Sequence, residues 1–100
     1  FKKINSYPIV QRDLNLVMEE NLEAGKIINL IFKIGGKYVI KVNPFNLFFD
    51  QKAIGENKKS ITFSIFLQHP SKTLEDKDVN SIIKEIIHIA DKQFSAKLRT

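Results

Sequence analysis

The chain has no cysteine, which excludes disulfides, thiolate metal sites and thiol catalysis. No apolar run approaches the roughly 18 residues of a membrane-spanning helix. The opening Phe1-Lys2-Lys3 is not followed by the long apolar stretch of a signal peptide. It also lacks an initiator methionine, so the chain is expected to be a piece of a longer polypeptide. Glycine is scarce, four in all with Gly35 and Gly36 adjacent, so there is no glycine-rich phosphate loop, and no metal-ligand spacing occurs. Only His69 and His88 are of a residue type that could serve as a base near neutral pH. His88 lies between Ile87 and Ile89 and His69 precedes Pro70 in a turn; both settings suit a structural histidine better than a general base.

One hundred residues, 43% of them hydrophobic and eight of them Phe, make one domain over residues 1–100. Its core is single and small, with a stability of several kcal/mol. The net charge is +5, almost entirely from lysine. Such a field favours polyanions: RNA, DNA or an anionic membrane surface. The heavy use of Lys, Ile, Asn and Phe also matches the codon bias of an AT-rich genome. Charge alone therefore leaves solubility and polyanion binding both open.

Periodicity places the elements. Leu14, Leu16 and Met18 alternate with Asp13, Asn15 and Val17, a period of two that predicts a strand from Ile9 to Met18. Apolar residues at 24, 27, 28, 31 and 34 form one helical face from Glu23 to Ile34, stopped by Gly35-Gly36. A second strand is expected at about Tyr38 to Asn43, with pairing shifted or ended at Pro44. A loop follows around Asp50 to Asn57. A third strand, Ser60 to Gln68, puts Ile61, Phe63, Ile65 and Leu67 on one face. Thr73 and Asp76 have capping-box spacing ahead of a helix from about Glu75 to Gln93. Its stripe is Val79, Ile82, Ile83, Ile86 and Ala90. Ser95 to Arg99 reads as a last short strand.

The order is βαββαβ, an α+β ferredoxin-like fold. Right-handed crossovers give an antiparallel sheet in the order 4-1-3-2, with both helices on one face. Asn15 and Ser60 then share the opposite, open face, with the end of strand two beside them. RNA-recognition domains of this topology place their stacking aromatics there. A polar open face is equally the solvated side of an antiparallel sheet, and topology alone favours that reading.

Three functions suit the topology. Acylphosphatases hold phosphate in a glycine-containing loop after strand one, where this chain has the acidic Glu19-Glu20-Asn21. Regulatory ACT-type domains bind amino acids at the same turn and favour glycine in it. RNA binding would draw on Lys2, Lys3, Arg12, Lys58, Lys59, Lys97 and Arg99 for phosphate. An exposed aromatic from Phe45, Phe48 and Phe49 would supply stacking.

Tyr7-Pro8, Arg12-Asp13-Leu14, Gly35-Gly36, Phe45-Asn46-Leu47-Phe48, Lys58-Lys59-Ser60, Thr73-Leu74 and Leu98-Arg99 form a set whose order and spacing are specific. In this the chain resembles, from Tyr7 to Arg99, the ferredoxin-fold anticodon-binding domain that closes the β subunit of bacterial phenylalanyl-tRNA synthetase. The resemblance implies a non-catalytic piece of a cytoplasmic α2β2 ligase. That enzyme charges tRNA-Phe in protein biosynthesis with ATP and magnesium, its chemistry lying in the α subunit. The implied partners are the tRNA-Phe anticodon loop, the α subunit and the rest of the β subunit, with no membrane. Carried over by position, the anticodon contacts are Asn15, Asn46, Phe48 and Ser60. Lys58, Lys59 and Arg12 are assigned to phosphate, Arg12 with a carboxylate pair as its other reading. Two departures bear on base choice: the family's Asp is Asn46 here and its Tyr is Phe48. The family's downstream Gly is Asp50. Relaxed base discrimination is the expected consequence, because asparagine accepts with only one oxygen.

Overall fold

The computed structural model describes residues 7–49 and 55–99. Lys2, Lys3, Asp50 and the first part of the loop after it lie outside the described residues. The elements are β1 (Val10–Glu19), α1 (Ala24–Gly35), a single 3-10 turn (Gly36–Tyr38), β2 (Val39–Phe48), β3 (Lys58–Leu67), α2 (Asp76–Phe94) and β4 (Lys97–Leu98). The sheet order is β2-β3-β1-β4, the expected order read from the other edge. Every strand pairing is antiparallel.

Period-two patterning decides which side of the sheet the helices cover. Leu14, Leu16 and Met18 of β1 and Ile61, Phe63, Ile65 and Leu67 of β3 are all buried. α1 lays Ile27, Leu30 and Ile31 onto them, and α2 lays Val79, Ile86 and Ala90. Each large apolar side chain buried this way contributes about 1.5–3 kcal/mol of transfer free energy. Leu30, absent from the predicted α1 stripe, is part of this core, while Ile34 is only half-buried. Two glycines shape the end of α1. A Cβ on Gly35 would sit 2.1 Å from Val39 Cγ2. Gly36 turns the chain at φ 57, where a side chain would be strained.

Three local expectations differ from the structure. The cap of α2 is formed by Glu75 and Asp78, not Thr73 and Asp76: each side chain meets the other residue's backbone N–H. Ser95 is not in a strand. It terminates α2 in the left-handed conformation, its N–H bonded back to Ala90 and Asp91 carbonyls. Finally, β2 does not stop at Pro44. It runs on to Phe48, with Pro44 opposite Phe63. β2 is an edge strand, so one of its sides has no ladder for a proline to break.

The register shifts elsewhere, once between Val39 and Lys41 and again beyond Pro44, at Asn46. Phe45 pairs with Thr62 and Phe48 with Ser60, so two residues of β2 stand opposite Ile61 alone. This is a β-bulge. Asn46 has φ 54, a left-handed conformation that asparagine tolerates better than most side chains. Regular alternation would put Phe45 and Phe48 on opposite faces. The extra residue brings both to the same one.

Candidate nucleic-acid interface

The face away from the helices is a grid of side chains set by strand register. Across β1, β3 and β2 the rows are Gln11, Phe66 and Lys41; then Asp13, Ser64 and Asn43; then Asn15, Thr62 and Phe45; then Val17, Ser60 and Phe48. Each row stands between rows of core residues, so all of these side chains point to the open side.

Two hydrogen-bonded clusters lie on this grid. At one, Ser60 is buried and its Oγ donates to Asn15 Oδ1. That bond orients the Asn15 carboxamide and leaves its nitrogen as a donor. At the other, Gln11 Nε2 donates to Ser64 Oγ at 2.6 Å, and Ser64 Oγ donates to Asp13 Oδ1 at 2.9 Å.

β4 completes the first cluster. The Arg99 N–H donates to the Asn15 carbonyl at 2.9 Å, extending the β1–β4 ladder by one step. From there the Arg99 guanidinium reaches across the face to lie 4.9 Å from the centroid of the Phe48 ring. At that distance a cation and an aromatic face attract by about 0.5–1 kcal/mol in an exposed setting. The result is a hollow lined by Asn15, Asn46, Leu47, Phe48, Ser60, Thr62 and Arg99. Phe48 is 37% exposed and Leu47 59%, so the rim sets two apolar side chains beside the exposed Asn46 and Arg99, over a polar floor of Asn15, Ser60 and Thr62. A planar ring that can stack and has polar edges suits that combination.

Four of the residues picked from sequence, Asn15, Asn46, Phe48 and Ser60, thus line one hollow. The three assigned to phosphate do not. Lys58 is at the end of the open face, but its Nζ donates to Glu19 Oε1 at 2.6 Å. Lys59 pairs with Met18, a core residue, and so belongs to the helix-side row. Arg12 is also on that side, 3.6 Å from the Asp76 carboxylate at the start of α2. In the sequence Arg99 is only one basic residue among several. Its signal was the terminal Leu98-Arg99 pair; its place in the hollow follows from β4 pairing with β1.

The remaining features read as structural. His69 stacks on Tyr38 with centroids 5.1 Å apart, and its Nδ1 accepts the Ser71 N–H at 3.0 Å. His88 is exposed on α2. The depression after β1 is lined by Glu19, Glu20, Asn21 and Asn57, where an anion would meet two carboxylates. Among the described residues no helix is long and apolar enough to cross a membrane.

Comparison with known proteins gives a consistent picture. The family model described as the ferredoxin-fold anticodon binding domain matches residues 5–99. The chain is 35% identical over 96 residues to the phenylalanine–tRNA ligase β subunit of Colwellia psychrerythraea. It is 36% identical over 93 residues to that of Thermotoga maritima and 33% over 98 residues to that of Haemophilus influenzae. These alignments cover 96%, 93% and 98% of this chain but only 12% of each relative.

Proposed function

The chain belongs to the ferredoxin-fold anticodon binding domain family, and from that premise we propose that its open sheet face reads the anticodon loop of tRNA-Phe. One observation carries the reading. Asn15, Asn46, Phe48 and Ser60, far apart in sequence, line a single hollow whose polar floor and aromatic rim suit a nucleobase.

In this reading Phe48 offers a stacking face. Arg99, already against that ring, clamps the base or holds the phosphate beside it. The Asn15 nitrogen donates to a base edge or sugar, its oxygen being occupied by Ser60. Asn46 presents one acceptor and one donor group where the family has an acceptor-only carboxylate, so discrimination is relaxed. Phosphates flank the hollow along Arg99 and Lys58, with Lys59 met only by backbone that passes round the end of the sheet. Arg12, held by Asp76 on the helix side, is outside that track.

The parent protein in this proposal is a phenylalanine–tRNA ligase β subunit, joined to an α subunit in a cytoplasmic α2β2 enzyme. ATP and magnesium act elsewhere in that assembly, and no residue of this chain is assigned to them. The test is titration of the chain with a tRNA-Phe anticodon stem-loop and with a loop carrying a changed first anticodon base, at low and moderate salt. Preferential binding to the Phe loop supports an anticodon reader. Equal and strongly salt-sensitive binding means a basic platform without base choice. Binding to neither loop, by this chain or by its full-length parent, removes the reading.

A further inference from the structure

We infer that the open face holds a second nucleotide subsite, built on Phe45 and the Asp13–Ser64–Asn43 row, which takes the nucleotide next to the one stacked on Phe48. The inference rests on the proposed anticodon reading of the neighbouring hollow.

Phe45 lies outside that hollow but on the same face, opposite Thr62. Phe45 is 41% exposed, and with Leu47, Phe48 and Phe49 it makes one run of exposed large apolar side chains, the kind of patch that marks an interaction surface. The bulge at Asn46 is what presents both Phe45 and Phe48 to the same side. Two aromatic platforms three residues apart on one strand match the way single-stranded RNA is held, successive bases lying on successive rings.

The row beside Phe45 supplies the edge contacts. Ser64 is buried and donates to Asp13 Oδ1, which fixes the carboxylate while its other oxygen stays open. Asn43 completes the row. A carboxylate accepts from exocyclic amino groups, so adenine or cytosine is favoured at this position over uracil. One row further on, Lys41 stands with its Nζ 5.8 Å from the Phe66 ring centroid, at the edge where the next phosphate would pass. Asp13 is two residues from Asn15 along β1, so the clusters are about 7 Å apart at the usual strand rise. That spacing suits neighbouring nucleotides of an extended strand.

The experiment is a set of double-mutant cycles between this chain and the tRNA-Phe anticodon stem-loop, with one abasic nucleotide placed at each anticodon position in turn. Phe45→Leu keeps apolar bulk and removes the π face. It should weaken binding to the intact loop about 5- to 100-fold. The loss should vanish with a loop abasic at one position, next to the position that couples to Phe48→Leu. Phe45→Tyr should bind like the unmodified chain, and Asp13→Asn should reduce the preference for an amino-bearing base at that same position. Loss on Phe48→Leu with no more than 2-fold loss on Phe45→Leu overturns the second subsite and leaves the first standing. Equal loss on every abasic loop likewise overturns it, because Phe45 would then act only through the fold. If the unmodified chain distinguishes no loop, both readings fall.

Discussion

The two faces of this sheet are cut from the same strands and do opposite things. On the helix side, β1 and β3 present Leu14, Leu16, Met18, Ile61, Phe63, Ile65 and Leu67, all closed off from water. On the open side the same strands present Asn15, Asp13, Ser60 and Ser64 in hydrogen-bonded pairs, while Phe45, Leu47 and Phe48 stay exposed. The inner face is held by a term proportional to area that has no direction. The outer face is held by bonds that fix orientation, each worth only about 1 kcal/mol net. One face supplies stability, and the other supplies positioned groups whose unused donors and rings remain available. β3 shows the division most sharply: Ser60 and Ser64 are nearly as buried as Phe63, yet every buried side-chain polar atom among the described residues has a partner.

Substitutions on the two faces should separate stability from binding. Phe63→Ala on the inner face should cost about 3–5 kcal/mol in urea unfolding, a large part of the stability of a domain this size. A loss under 1 kcal/mol would mean that the inner face is not the main source of stability. Phe48→Ala should weaken stem-loop binding by about 1–3 kcal/mol, with unfolding changed by less than about 1 kcal/mol. An equal loss in unfolding would make Phe48 a core residue and blur the division. Ser60→Ala should destabilise by about 1 kcal/mol, because Asn15 Oδ1 loses its donor. Asn15→Ala and Ser60→Ala should therefore be non-additive in denaturation, and strict additivity would show that the pair does not act as a unit. The smallest effects are electrostatic. Arg99→Ala should flatten the salt dependence of RNA binding by somewhat under one unit of slope, and Lys59→Ala on the helix-side row should change it less. The reverse order would place the phosphate track around the helix side.

The inner face was legible because its signal is periodic. Seven apolar residues at spacing two on β1 and β3, and stripes at helical spacing on α1 and α2, each report local geometry that the tertiary fold confirms. Asn15 and Ser60 followed from the same count, being the alternate residues on strands that the topology makes neighbours. Arg99 and Phe45 did not follow. Arg99 enters the hollow because a two-residue strand pairs with β1, and a segment that short has no period to read. Phe45 shares a face with Phe48 only because Asn46 adds a residue to the strand. Pro44, the stronger breaker in sequence, proved harmless on an edge.

The order of elements, the buried sides of β1, β3 and the two helices, and the placing of Asn15 and Ser60 on one open polar face were all written in the sequence. Hydrophobic alternation is a local rule that holds wherever a strand is regular. Where that rule fails is set by pairing between distant strands. The bulge at Asn46 resets the phase of β2, and the β1–β4 ladder carries Arg99 over Phe48. Both depend on which backbone groups find partners across the sheet, a long-range condition that no window of sequence contains.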